Sequence, residues 1–204
     1  MIFKPPLSPI TRLVEYNGQK AVWKDYSERS CWVKDTWGKR LIRHETHSIK
    51  RLEGIKGIPR LIKRVGEYGF LLEYIEGEPL KKFRKETLPL SVFDKLSQLV
   101  GRLHQRGVVH LDLGQKKNIL LDKDYNPYFI DFANALYFRK DAFGFGGLFK
   151  ALCLIDYSAL LKFKHRFFPE TLAEKEKQWL KWFFFSRHFW IFKLKTYRQK
   201  DKVK

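Results

Sequence analysis

The chain has 204 residues, with 41 Lys and Arg against 22 Asp and Glu, a net charge of +19. Its 44% hydrophobic and 16% aromatic content supports a packed core, which excludes a disordered tail, and the length fits one domain or one domain in two lobes. The charge favours anionic partners such as nucleotide, nucleic acid or acidic lipid, while two cysteines, Cys31 and Cys153, exclude a disulfide framework or a zinc cluster and set a cytoplasmic expectation.

Met1–Lys24 has no apolar core of the kind that opens a secretory leader. After a Pro-rich start (Pro5, Pro6, Pro9) comes TRLVEY-NG-QKAVWKDY, where Asn17-Gly18 between two alternating runs predicts a hairpin. Gly38–Glu53 follows as a predicted helix, with Leu41, Ile42, Glu45, Ile49 and Leu52 on one face. GIKGIP breaks it. LIKRV-GEYG-FLLEYI is a second predicted hairpin, running into the turn Glu76-Gly77-Glu78-Pro79. Ser91–Arg106 reads as a helix with Ser91 and Asp94 spaced as a capping box, ended by Gly107. Two short strands, Asn118–Leu121 and Tyr128–Asp131, flank a DKDYNP turn. From about Gly147 the chain reads as helical and increasingly basic and aromatic, with Thr171 and Glu174 placed to cap a last helix. No apolar stretch reaches the ~20 residues that cross a bilayer. The order implies an α+β fold: a small β-rich lobe followed by an α-rich one.

Three polar residues interrupt the apolar pattern of VVHLDLGQKKNILLDKDYNPYFIDFANA: Asp112, Asn118 and Asp131. An unpaired charge set against a core is costly. Phosphoryl transfer from ATP resolves the problem, because it needs such groups. A hard Mg²⁺ takes carboxylate and amide oxygens, a carboxylate orients the attacking hydroxyl, and a lysine holds the donor phosphates. Pairing the two strands brings Asn118 and Asp131 to one end of their hairpin, side by side.

HLDLGQKKN followed by FIDFA resembles the catalytic loop and metal-binding segment of the protein-kinase fold. More narrowly it resembles the small bacterial RIO-like, toluene-tolerance-type kinases, near the lipopolysaccharide Kdo and heptose kinases. The resemblance implies a two-lobed protein-kinase-like fold with a minimal β-rich N-lobe (1–78), a short α-rich C-lobe (79–169) and a basic aromatic tail (170–204). It implies ATP and Mg²⁺ as cofactors, Asp112 as the catalytic Asp, Asn118 and Asp131 as metal ligands, and His110 as a packed structural residue. Lys24 in KAVWKDY resembles the phosphate-holding lysine, with Glu45 as its ion-pair partner. LLEYIEGEPL resembles the adenine-binding hinge at Glu73–Ile75, with Leu72 as gatekeeper. Departures stand beside these matches. Leu111 replaces the usual Arg, and the Asp112–Asn118 spacing is one residue long, so a bulge is expected at Gly114. FA replaces FG after Asp131, and no G-x-G-x-x-G loop precedes Lys24, so either the Pro-rich start covers the phosphates or the nucleotide has little roof.

The expected activity is transfer of phosphate to a hydroxyl, by resemblance that of a protein Ser or Thr, with a sugar hydroxyl on a lipopolysaccharide-type glycolipid as the alternative. A membrane-associated pseudokinase that only binds is the rival from another class. The run WFFFSRHFWIF with Lys193, Lys195, Arg198, Lys200, Lys202 and Lys204 behind it suits an anionic membrane interface at the inner face or a helix docked on the α-rich lobe. No RNA-binding signature accompanies it, which argues against a nucleic-acid partner.

Overall fold

The computed structural model describes residues 8–84, 87–138 and 146–182. The predicted first hairpin forms from β1 (Ile10–Tyr16) and β2 (Gln19–Asp25), paired in register from Ile10↔Asp25 to Tyr16↔Gln19. Its two-residue turn needs positive φ at both positions, and Asn17 (52°) and Gly18 (74°) supply it. The second hairpin joins β3 (Leu61–Val65) and β4 (Gly69–Glu73). The four strands make one antiparallel sheet in the order β1-β2-β4-β3, so β2 and β4 are central. Helix α1 (Lys39–Arg51) crosses between the hairpins and buries Ile42, Glu45 and Ile49 on the expected face. A π-helical stretch over Val33–Gly38, absent from the sequence expectation, leads straight into it.

The second half begins with β5 (Glu78–Pro79) and α2 (Ser91–Gln105). The predicted capping box is not made. Pro89 and Leu90 already accept from Val92 N and Phe93 N at 3.0 Å each, so the backbone satisfies the first N–H groups and Ser91 is inside the helix. β6 (Val108–Val109) pairs with β9 (Leu136–Tyr137), and β7 (Ile119–Leu121) sits between β5 and β8 (Pro127–Phe129). Helix α3 (Gly146–Phe167) packs on α2. The expected Thr171/Glu174 cap also differs. Thr171 closes a 3₁₀ turn on Phe168 O, and the helix over residues 174–182 is capped by Glu176, whose carboxylate accepts Ala173 N at 2.8 Å.

One hydrophobic cluster runs from Ile42 and Phe70 through Leu99 and Leu103 to Phe129, Phe132 and Leu160, joining the sheet to the helices. Among the described residues no helix is long and apolar enough to cross a membrane. Pro5, Pro6, the aromatic run after Trp182 and the basic tail lie outside the described residues.

Candidate active site

Lys24 lies on β2, a central strand, where every second side chain points under the sheet toward α1. Its Nζ meets Glu45 Oε1 of α1 at 2.6 Å and Asp131 Oδ1 at 2.8 Å. Residues 107 positions apart in the chain thus touch. Burial opposes the charge on Lys24, but the two carboxylates outweigh it and hold its pKa above 10.5, so it is a cation. Burial likewise works against Asp131, and Lys24 wins again, keeping that carboxyl below the usual range. Helix α1 grips the segment after Asp131 twice. The Phe132 N–H lies against the Glu45 carboxylate, and His44 Nε2 bonds Ala135 O.

Asn118 and Asp131 end up side by side as the hairpin reading required. Ile119 pairs with Phe129, and Ile130 N donates to Asn118 O at 3.0 Å. Asn118 itself closes a 3₁₀ turn rather than starting the strand. It is 1% exposed, and its Nδ2 donates to Asp112 O (3.1 Å) and Oδ2 (2.9 Å). With both N–H groups spent there, the amide oxygen is left to face the cleft that Asn118 and Asp131 both line.

That cleft holds about 450 Å³ between the sheet and the β7–β8 hairpin. Val22, Leu72, Ile75, Leu120 and Ile130 give it apolar walls; Lys24, Lys117, Asn118 and Asp131 give it a polar end. The hinge residues Leu72, Glu73 and Ile75 all line it, and the Glu73 carboxylate also accepts Arg60 N at 3.0 Å. Ser8, Pro9 and Thr11 form a wall where the Pro-rich start enters. Glu45 sits behind Lys24, outside the wall. A flat apolar slot with a charged end suits a nucleotide base and its phosphates. The donor set fits Mg²⁺: one carboxylate and one amide are hard oxygen ligands, and this ion commonly takes few protein ligands and completes its shell with phosphates and water.

Asp112 does not line the cleft itself and joins it through Asn118. Its two oxygens also accept Gln115 Nε2, at 2.7 and 2.6 Å. The bulge expected at Gly114 is a turn over Leu113 and Gly114. Leu111 takes the left-handed conformation (φ 63°), as does Asp131 (φ 67°), and the extra residue is absorbed where Gln115 N turns back to Asp112 O at 3.2 Å. His110 is fully buried, and burial lowers its pKa below 6.5. Neutral, it donates from Nε2 to Ile130 O (3.1 Å) and accepts Asp112 N at Nδ1 (3.4 Å), packed on Phe132. It is structural, as expected.

Sequence reasoning missed Asp156. This α3 carboxylate is 1% exposed and accepts His110 N and Leu111 N, both at 2.9 Å, with His104 Nε2 at 3.1 Å. It fixes the backbone from which Asp112 projects. The available signal was a single carboxylate inside the apolar run CLIDYSALL, which burial forbids unless donors meet it.

Comparison with known proteins matches residues 13–143 to the RIO domain. The chain belongs to the RIO-domain family. That match covers Lys24, Glu45, Leu72, Glu73, Ile75, Asp112, Asn118 and Asp131 and fits the protein-kinase-like fold; Asp156 lies beyond it. It is 42% identical over 85 residues to a probable bifunctional tRNA threonylcarbamoyladenosine biosynthesis protein of Methanosarcina mazei, covering 41% of this chain and 14% of that protein. It is 35% identical over 95 residues to the KEOPS complex subunit Bud32 of Pyrococcus abyssi, covering 37% of this chain and 42% of the subunit. A PAS domain-containing serine/threonine-protein kinase of Mus musculus is 35% identical over 75 residues, 36% of this chain and 5% of that protein. This RIO-domain chain thus spans less than half the length of these relatives.

Proposed function

We propose that the chain transfers the γ-phosphoryl group of ATP, with Mg²⁺, to a hydroxyl, first of all that of a protein Ser or Thr. The observation that carries the reading is the Lys24–Asp131 contact at the polar end of the cleft, with Glu45 fixing the lysine from behind. Leu72, Glu73 and Ile75 flank the base, and Lys24 holds the donor phosphates. Asn118 and Asp131 would hold the metal, which neutralises phosphate charge when bound. Asp112 orients the acceptor hydroxyl and takes its proton as the oxygen attacks phosphorus. The acceptor alternatives are a glycolipid sugar, favoured by the +19 charge, and water.

One incubation separates them: γ-labelled ATP, the chain and a membrane extract. Label in protein supports the first reading, label in glycolipid the second, and label in free phosphate alone the third. Asp112→Ala should abolish turnover and leave nucleotide binding intact. Asp131→Ala should weaken the Mg²⁺ dependence of that binding. Unchanged turnover in Asp112→Ala removes Asp112 from its role.

A further inference from the structure

We propose that Gln115 is a positioning residue that selects the acceptor: it withholds Asp112 from water and yields only to a docked hydroxyl substrate. The inference rests on the phosphotransfer reading above and deepens it.

The argument starts from the lone pairs of one carboxylate. A base must present an open lone pair to the hydroxyl it orients. On Asp112, Oδ2 accepts the buried Asn118 amide at 2.9 Å, with Asn134 Nδ2 at 3.4 Å. Oδ1 accepts only Gln115 among the described residues, at 2.7 Å, and the same nitrogen reaches Oδ2 at 2.6 Å. The two sets of donors differ in how they are held. Asn118 is buried and doubly bonded to Asp112, so it stays. Gln115 is exposed, on a turn that bonds back to Asp112 O, so its side chain is free to swing out. Oδ1 is therefore the face that an acceptor reaches, and Gln115 covers it.

Water and a true acceptor meet this cover differently. For either, the attacking oxygen bonds to the γ-phosphorus while the bond from that phosphorus to the β,γ-bridging oxygen breaks. ADP leaves with the electron pair, and the proton of the attacking group goes to Asp112. A water molecule brings nothing but its own hydrogen bonds, for which it must displace a donor already on a charged oxygen. A substrate bound elsewhere on the protein contributes binding energy from those remote contacts to the displacement. The chain thus favours transfer over hydrolysis through a neutral amide rather than a moving domain.

The test measures phosphate release from Mg-ATP by the full chain without acceptor, alongside titration with a fluorescent ATP analogue and a thermal midpoint. Gln115→Ala and Gln115→Met should release phosphate on the order of tenfold faster than the parent, the scale of one hydrogen bond to a charged group. Nucleotide affinity and thermal midpoint should not move. The gain should vanish when Asp112→Ala is added; a merely structural role would instead lower the thermal midpoint or the nucleotide affinity. Release that is unchanged or slower in both variants overturns the proposal, as does a gain that survives Asp112→Ala. A parent chain that fails to bind Mg-ATP sinks the phosphotransfer reading instead.

Discussion

Asp112 and Asp131 are both tied to the cleft residue Asn118 or its hairpin, yet the protein holds them by opposite means. Asp131 is fixed by charge: Lys24 at 2.8 Å, itself braced by Glu45 at 2.6 Å. Asp112 meets no cation within ion-pair distance among the described residues. Three side-chain amides hold its oxygens, and its backbone hangs from Asp156 through His110 and Leu111. A charge-locked carboxylate is a fixed point, suited to a ligand that must not move. A carboxylate held by neutral donors can exchange one of them for a substrate hydroxyl without breaking an ion pair in low dielectric. Under the proposed function, the difference separates the residue that binds metal from the one that does chemistry.

The comparison breaks most violently on the charged side. Lys24→Ala leaves Glu45, 3% exposed, without its cation. It should cost about 3–5 kcal/mol of stability, the range for removing one partner of a buried pair, along with Mg-ATP binding. Urea unfolding checks the first; a loss below about 1 kcal/mol would mean the charges are not a unit. On the neutral side, Asp156→Ala strands the buried His110 N–H, at about 1–3 kcal/mol, and the part-buried Leu111 N–H at less. Turnover should collapse while nucleotide affinity holds, because the charged side is untouched; equal loss of both would erase the distinction. Gly57→Ala strikes the support common to both sides. Gly57 has φ +102°, its carbonyl accepts Phe129 N at 2.9 Å, and a Cβ there would sit 2.7 Å from Pro127 O. A cost of about 1–3 kcal/mol is expected, read as a lower urea midpoint with transfer and binding reduced together.

The smallest effect is a pH scan. Asp131 titrates below its ordinary 3.8 and Lys24 above 10.5, so their contact persists from mildly acid to strongly basic pH. His110 titrates below 6.5 in the fold, so under pH 6.5 the unfolded chain binds a proton that the native one refuses. Stability should then fall with pH, by at most about 1.4 kcal/mol per unit, until the folded value is reached. Urea midpoints at pH 8, 7, 6 and 5 test this, and His110→Gln should flatten the slope. A slope unchanged in that variant would assign the titration elsewhere.

What could be read in advance follows from the reach of each signal. Asn17-Gly18 names its own turn type. Glu45 shows itself because it interrupts an apolar helix face, and the Asp112–Asn118–Asp131 order needs only one local hairpin to bring its members together. Asp156 stayed hidden because two of its partners are backbone N–H groups 45 and 46 positions away, which carry no residue identity, and its side-chain partner His104 lies 52 positions away. The Ser91/Asp94 box misled because spacing says what a side chain can bond, while Pro89 had already begun the helix. Gln115 carries no signal at all, since an exposed glutamine in a loop is commonplace until its carboxylate partner is located.

The bridge from Lys24 to Asp131 also constrains how the protein is made. Synthesis delivers the lysine first and the aspartate 107 residues later, an interval of roughly 5–20 s at cellular elongation rates. During that time the sheet can assemble on the ribosome, but its central cation has one counter-charge instead of two. Lys24 on the nascent N-terminal half therefore has Glu45 as counter-charge before Asp131 is made, and gains the second only when the β7–β8 hairpin emerges.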